Sequence, residues 1–352
     1  MRILILGGTR FVGRHFVEVA LDRGHELTLF NRGRSGPELF PGAERIRGDR
    51  TVDLAPAASG RTWDAVFDPS CYTVRAARTA VEALAGRVGH YAFVSSLSVY
   101  ADQDAPGLDE SAPVGTIADP TTEVIDGDTY GPLKALCERE VLRAFPGALV
   151  ERCGFIVGPY DPVDRLPWWI RRISEGGEVL APARPDYPAQ LIDARDIAEW
   201  TLAMIDRGEG GVFNVTAPRD PYRLVDVLET ARRVSGSDAR FTWVPEPFLL
   251  ERGLDPEEEP LPYWLGPGST GAATSDVSKA YSAGLEVRPL ETTIADTYAW
   301  ERARAREPLR VGLDAERERS ILDAWRSRHA PGPAAVSGDD EPERLGEVAR
   351  DP

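Results

Sequence analysis

The sequence predicts an α/β protein, a doubly wound parallel sheet followed by a smaller, looped domain. Three observations predict it. In the first half, short apolar runs alternate with helical patterns, as strands joined by crossover helices do. The first run, Arg2–Leu6, passes straight into a glycine-rich turn that opens a helix. From about Gly158 the texture changes, and Pro159, Pro162, Pro167, Trp168, Trp169, Pro182, Pro185 and Pro188 crowd together.

Taken in order, Arg2–Leu6 reads as a buried strand and Phe11–Arg23 as a helix that stops near Gly24. Glu26–Phe30 is a second strand, Ala43–Gly48 a third and Trp63–Asp68 a fourth, followed by a helix from Val74 to Ala85. His90–Ser95 is the fifth strand, Tyr130–Ala144 a helix and Ala148–Gly154 the sixth strand. Ala189–Ile192 and Val212–Val215 read as short strands that return to the sheet. The expected division is a dinucleotide-binding domain over 1–157, with the sheet revisited near 189–217, and a mainly substrate-binding domain over 158–330. The stretch 331–352 is rich in Pro, Gly and acids and is expected to be a disordered tail.

Of the 352 residues, 42% are hydrophobic, enough for a sizeable core. The net charge of −16 repels phosphate backbones and anionic lipid surfaces, so neither nucleic acid nor membrane is an expected partner. No run approaches the ~20 apolar residues of a membrane span, and the first apolar run is too short for a signal peptide. Cys71, Cys137 and Cys153 lack metal-ligand spacing, and His15, His25, His90 and His329 are scattered singly. No metal site is expected, and the odd thiol count points to a reducing cytoplasm.

The turn after the first strand is Gly7-Gly8-Thr9-Arg10-Phe11-Val12-Gly13. Glycines between a strand and a helix let backbone amides approach a pyrophosphate at the helix's positive end. This is a Rossmann-type cofactor loop. Arg10 occupies the middle glycine position of the three-glycine pattern, from where its side chain can reach the adenosine ribose. An acidic residue at the end of the second strand would bind a ribose 2′-hydroxyl. The sequence there is Asn31-Arg32-Gly33-Arg34. Asn31 carries no charge to repel a 2′-phosphate, and Arg32 can pair with one. NADP(H) is therefore preferred, with NAD(H) the alternative. Asp49, with Arg50 beside it, is placed to contact the adenine amine.

The fifth strand ends in Ser95-Ser96-Leu97-Ser98-Val99-Tyr100, and Tyr130-Gly131-Pro132-Leu133-Lys134 follows later. Tyr130 and Lys134 lie four apart on one helix face. A phenol of intrinsic pKa ~10 is a poor base at neutral pH, and a nearby ammonium favours its phenolate. Ser96 would orient the substrate's oxygen. The catalytic set expected is Ser96, Tyr130 and Lys134, with Tyr130 as acid/base.

In joint order, the loop, the Ser-rich strand end and the Tyr–Lys pair resemble the short-chain dehydrogenase/reductase superfamily, in its extended, epimerase/dehydratase-like branch. The resemblance runs from about Met1 to Trp300. It includes Arg152-Cys153-Gly154-Phe155-Ile156-Val157-Gly158-Pro159, Leu191-Ile192-Asp193-Ala194-Arg195-Asp196-Ile197-Ala198 and Asp276-Val277-Ser278-Lys279-Ala280. It implies Asp68, Ser95, Tyr130, Lys134, Cys153, Gly154 and Ile156 as further cofactor contacts, and a homodimer through helices flanking the active site. Asp68-Pro69-Ser70-Cys71-Tyr72 departs from the His/Ala-rich segment usual in that branch, on the nicotinamide side.

The resemblance implies redox chemistry. Dehydratases of the family carry an acidic pair after the catalytic hydroxyl residue, where Leu97-Ser98 stand here. Epimerases carry an arginine for the substrate diphosphate, where Gly266 stands, although Arg165, Arg184 or Arg219 could substitute. The first expectation is an NAD(P)-dependent oxidoreductase acting at a hydroxyl/carbonyl of a small polar or secondary-metabolite substrate. The second is a sugar or nucleotide-sugar epimerase using bound NAD. The third is a non-catalytic RNA-binding protein, since some atypical members resemble chloroplast RNA-binding proteins with a similar Gly-Gly-Thr-Arg-Phe loop. Ser98, Tyr160, Trp168, Gln190 and Trp264 are the expected substrate-facing residues.

Overall fold

The computed structural model describes residues 1–256, 261–267, 270–304 and 308–329. The expected tail, 331–352, and residues 257–260 lie outside the described residues. The chain begins β1 (Arg2–Leu6), α1 (Phe11–Asp22), β2 (Glu26–Asn31), β3 (Glu44–Arg47), α2 (Ala55–Ala58), β4 (Trp63–Asp68), α3 (Val74–Leu84), β5 (Val88–Ser96), α4 (Gly127–Ala144) and β6 (Leu149–Cys153). It continues β7 (Phe155–Val157), α5 (Arg165–Ser174), β8 (Glu178–Pro182), β9 (Pro188–Ala189), β10 (Leu191–Asp193), α6 (Ala194–Arg207) and β11 (Gly211–Val215). Last come β12 (Tyr222–Arg223), α7 (Leu224–Ser235), β13 (Arg240–Val244), α8 (Glu246–Glu251), α9 (Ser278–Ser282), α10 (Leu290–Ala303) and α11 (Ala315–His329).

Seven strands form the central sheet in the order β11-β6-β5-β4-β1-β2-β3, and every neighbouring pair is parallel. The chain lays β2 and β3 to one side of β1, then crosses back to place β4 on the other. A crevice opens where the strand order reverses, at the carboxyl ends of β1 and β4.

Alternation along the strands splits the apolar side chains between two layers. Ile3, Ile5 and Phe67 pack with α1 and α6, while Leu4, Leu6 and Val66 pack with α2, α3 and α4. The sheet is buried on both faces, which is why its strands read as continuous apolar runs.

Val212–Val215 returns to the sheet as part of β11, next to β6. The stretch Ala189–Ile192 does not. It divides into β9, which pairs with β12, and β10, which pairs with β7. The position beside β6 is already filled by β11, so these residues form short ladders of their own. A separate core of Leu166, Trp168, Trp169, Leu180, Leu228 and Trp264, with others, holds the second half of the chain together, where α5, α7 and α10 pack on one another. Among the described residues, no helix is long and apolar enough to cross a membrane.

Candidate active site

The loop between β1 and α1 is shaped by backbone that only small residues tolerate. Gly8 has φ +89°, and a Cβ there would come within 2.9 Å of Leu29. A Cβ on Gly13 would meet the Gly8 backbone at 3.2 Å, so the first turn of α1 closes tightly on the loop. Arg10 is extended (φ −134°), so a non-glycine residue is accommodated there, and the left-handed step falls on Phe11 (φ 39°). Arg10 is exposed, whereas Val12 is buried in the core beneath the loop and meets a ligand only through its backbone. The residues fit a dinucleotide, because Gly8 and Gly13 leave no room for side chains and the loop presents main-chain amides at a helix N-terminus.

Asn31, at the end of β2, is committed to this loop. Its amide donates to the Gly7 carbonyl (2.9 Å), and its oxygen accepts from the Gly33 amide (2.9 Å). Arg32 and Arg34 are exposed, and among the described residues neither guanidinium has an ion-pair partner. Both lie close enough to Asp49 to help hold its carboxyl below the usual range, after its hydrogen bonds from Thr51. One Asp49 oxygen accepts from the Thr51 hydroxyl (2.7 Å) and amide (3.0 Å).

The expected roles of Asp68 and Arg50 are corrected. Asp68 is fully buried, and its carboxylate is paired bidentately with the Arg50 guanidinium, one contact being 2.6 Å. It also accepts from the Tyr91 hydroxyl (2.9 Å). Burial opposes its ionisation, but Arg50 and Tyr91 together keep the carboxyl below its usual range. A buried carboxylate needs such partners, so the pair braces the crevice floor rather than facing a ligand. Ser95 is corrected likewise. It is 4% exposed and donates to Glu138 of α4 at 2.5 Å.

The structure brings Ser96 and Tyr130 together, whereas the Lys134 ammonium, expected to favour the Tyr130 phenolate, is not among the groups that act on it. Ser96 ends β5 and caps a 3-10 turn over Leu97–Val99. Its hydroxyl donates to the Ser98 hydroxyl (3.1 Å) and accepts from the Ser98 amide (3.1 Å). A capping box built by Asp126 and Thr129 starts α4, which puts Tyr130 in its first turn. Gly131 lets α4 press against this turn, since a Cβ there would strike the Ser98 carbonyl. Burial raises the Tyr130 phenol above its usual pKa, and a hydrogen bond with Ser96 opposes that shift. Cys153, buried at the end of β6, also works upward, while Arg165 works downward. Gly154 follows where a side chain would collide with Thr216, and Ile156 pairs with Ile192 in the β7–β10 ladder.

Lys134 is 2% exposed. Its ammonium donates to the carbonyls of Cys71 (2.8 Å) and Val94 (2.6 Å), and it lies 5.4 Å from the centroid of the Tyr72 ring. The Tyr72 ring in turn tilts toward Tyr130, centroid to centroid 6.3 Å. Sequence reasoning passed over Tyr72. The departure of its segment from the family pattern was the only signal for it.

Most of the expected substrate residues are placed elsewhere. Gln190 is 1% exposed, donating to the carbonyls of Pro218 and Ser275 and accepting from the Ser275 amide. Trp168 and Trp264 belong to the second core, with indole N–H bonds to the Leu313 carbonyl and to Glu246. Tyr160 packs on α1, beneath the Arg14 guanidinium (3.6 Å to the ring centroid) and beside His15 and Trp300. Trp168 and Trp264 are buried in the second core, which removes their large apolar area from water and leaves neither ring free to face a substrate. Ser98 alone stands beside Ser96. Among the described residues, no cluster of His, Cys, Asp or Glu has metal-binding geometry.

The model of the NAD dependent epimerase/dehydratase family matches residues 3–216. The chain is 27% identical over 271 residues to the chloroplast stem-loop binding protein of 41 kDa b of Arabidopsis thaliana, a match covering 71% of this chain and 65% of that protein. It therefore spans just under two thirds of the length of this relative. The fold is similar to that of the UDP-Glc/GlcNAc 4-epimerase of Campylobacter jejuni, with 19% identity, TM-score 0.64 and coverage of 86% of this chain and 99% of the other. It is also similar to the UDP-glucuronic acid 4-epimerase of Bacillus cereus, solved with NAD, with 15% identity, TM-score 0.63 and coverage of 86% and 99%.

Proposed function

The chain belongs to the NAD dependent epimerase/dehydratase family, and from that premise we propose that it is a nicotinamide-dependent oxidoreductase acting at a hydroxyl/carbonyl carbon of a small polar substrate. The observation that carries this reading is the convergence of Ser96, Ser98 and Tyr130 at the carboxyl end of β5, with Lys134 one turn further along α4.

The bound nicotinamide supplies or accepts the hydride. The chain's own groups handle the proton and the substrate oxygen. Ser96, with its hydroxyl fixed by Ser98, hydrogen-bonds and orients that oxygen. Tyr130 is held as a protonated phenol by burial, which suits it to donate a proton to a carbonyl oxygen during reduction. In the opposite direction the phenolate would accept the alcohol proton, so alcohol oxidation is favoured as pH rises. Lys134, a buried ammonium fixed on two carbonyls, places a positive charge beneath Tyr72 and beside the cofactor crevice. Gly7 to Gly13 would hold the pyrophosphate.

NADP(H) is the cofactor we favour. Support comes from the neutral Asn31 at the end of β2 and from the exposed, unpaired Arg32 and Arg34 beside it. Epimerisation with a retained cofactor is the second reading, favoured by the shared fold of sugar-nucleotide epimerases solved with NAD. The two separate on one preparation. Denaturing the purified protein and identifying the released nucleotide by mass distinguishes tightly held NAD, which favours epimerisation, from exchanging NADPH. Tyr130→Phe is expected to cut turnover by at least about a thousandfold while leaving cofactor affinity within about twofold. Retained turnover would refute the assignment of Tyr130.

A further inference from the structure

Tyr130 and Lys134 stand four apart in α4, so their side chains share one helix face. That spacing alone would let the ammonium reach the phenol. The ammonium instead donates to the Cys71 and Val94 carbonyls (2.8 and 2.6 Å). Two aromatic rings stand near it, Phe93 at 4.3 Å and Tyr72 at 5.4 Å from the ring centroids. Phe93 is fully buried in the core. Tyr72 is 42% exposed and also meets the Tyr130 ring, 6.3 Å between centroids at a tilt of 38°. One ring thus touches both members of the expected acid–base pair.

The turn that carries this ring is pinned on both sides. Cys71 is fully buried, its Sγ 4.0 Å from that of Cys137 on α4. Thr73 caps α3 by accepting from the Ala76 amide (3.4 Å). Arg75, in the first turn of α3, pairs bidentately with Glu123 (3.0 Å), in the segment that leads into α4. The electrostatics follow the same geometry. The titratable groups that face the Tyr130 phenol from neighbouring elements are Cys153 of β6, Arg165 of α5 and Tyr72 itself, with the Ser96 hydroxyl bonded to it. Lys134 acts on Tyr72 instead. Burial raises the Tyr72 phenol above its usual pKa, Lys134 and Arg50 oppose that shift, and Tyr130 and Asp68 add to it.

We propose that Tyr72 is a positioning residue for the acid–base pair: its ring, set against the Lys134 ammonium and the Tyr130 ring, holds that charge on the Cys71 and Val94 carbonyls and away from the Tyr130 hydroxyl. The inference rests on the reading of Tyr130 as the acid–base group. A cation beside a phenol stabilises its phenolate. A cation kept aside leaves the phenol neutral, the form that donates a proton to a carbonyl oxygen. Tyr72 thereby biases the site toward carbonyl reduction at neutral pH, and alcohol oxidation waits for a higher pH.

The test follows the ionisation of Tyr130 in the full chain by NMR of Cζ-labelled tyrosine, the signal being identified by its loss in Tyr130→Phe. It needs no substrate. Tyr72→Ala is expected to raise the ionisation constant of Tyr130 by at least about tenfold, a fall of one pKa unit. Tyr72→Phe keeps the ring and is expected to leave that constant within about twofold. Loss of the ring also admits water, which lowers the pKa by itself. The same substitution beside Lys134→Met measures that hydration effect alone, expected at less than about threefold. A rise as large without Lys134 as with it would overturn the proposal, as would no rise at all. Should Lys134→Met not fold, a crystal structure of Tyr72→Ala decides. The ammonium is expected within hydrogen-bonding distance of the Tyr130 hydroxyl, and an ammonium still held on both carbonyls would overturn the proposal. Turnover by Tyr130→Phe would instead overturn the acid–base reading, with the titration result still standing.

Discussion

Glu151 shows how much one residue can weigh. It lies in the middle of β6, fully buried, on the layer shared with α6. One oxygen accepts from the Thr201 hydroxyl (2.5 Å), and the other has no partner among the described residues. Burial pushes its pKa up to about 8, against the weaker pull of Thr201. An acid whose folded pKa is raised binds its proton more tightly folded than unfolded. Between the unfolded carboxyl range and about 8, stability therefore falls as pH rises, and the loss is complete above that. Glu151→Gln mimics the protonated form. It is expected to raise stability at pH 8 by roughly 2 kcal/mol or more, with little change near pH 4. Urea midpoints at the two pH values check this, and equal gains at both would refute the titration.

Among the elements, the turn after β2 is where the proposed preference for NADP(H) is tested. Asn31 is spent on Gly7 and Gly33, so on the proposed reading selectivity falls to the exposed guanidiniums that follow it. Arg32→Ala is expected to weaken NADPH by about tenfold and NADH by less than about twofold, read from the fluorescence of bound nicotinamide. Equal losses would remove the case for a 2′-phosphate site. The sequence shows Asn31-Arg32-Gly33-Arg34 where an acid would serve a bare ribose. It did not announce that Arg50 would fold back on Asp68. That pairing depends on the meeting of β3 and β4 ends across the sheet, which local sequence does not encode.

At the scale of the whole molecule, a buried polar chain ties the active-site turn to the returning strand. Ser95 bonds Glu138, Glu138 pairs with Arg152 (2.8 Å), Arg152 donates to the Tyr100 hydroxyl (3.2 Å), and that hydroxyl donates to Asn214 of β11 (2.5 Å). Asn214 then reaches the carbonyls of Leu108 and Asp276. The chain joins α4, β5, β6 and β11, so Tyr130 rides on a helix clamped from its buried side. Removing one partner leaves the other charge buried and unpaired, which costs about 3–5 kcal/mol. Arg152→Ala is expected to destabilise the protein by that order in denaturant unfolding. A loss below about 1 kcal/mol would mean that the network adds little.

The sequence by itself determined the strand–helix alternation, the glycine-rich loop and the placing of Tyr130 and Lys134 four apart on one helix. These depend on residue periodicity, on backbone conformations that only small residues reach, and on fixed spacing along one helix, all of which are local. Tertiary structure alone decided which polar groups are spent on protein partners. Asp68, Ser95 and Gln190 have the chemistry of binding residues, but burial forces each to satisfy its hydrogen bonds with protein partners. Trp168 and Trp264 likewise went to the second core, where their area is removed from water. Tyr72 reached Tyr130 and Lys134 because the turn after β4 meets α4 there. That meeting is a contact between distant parts of the chain, and no spacing in the sequence records it.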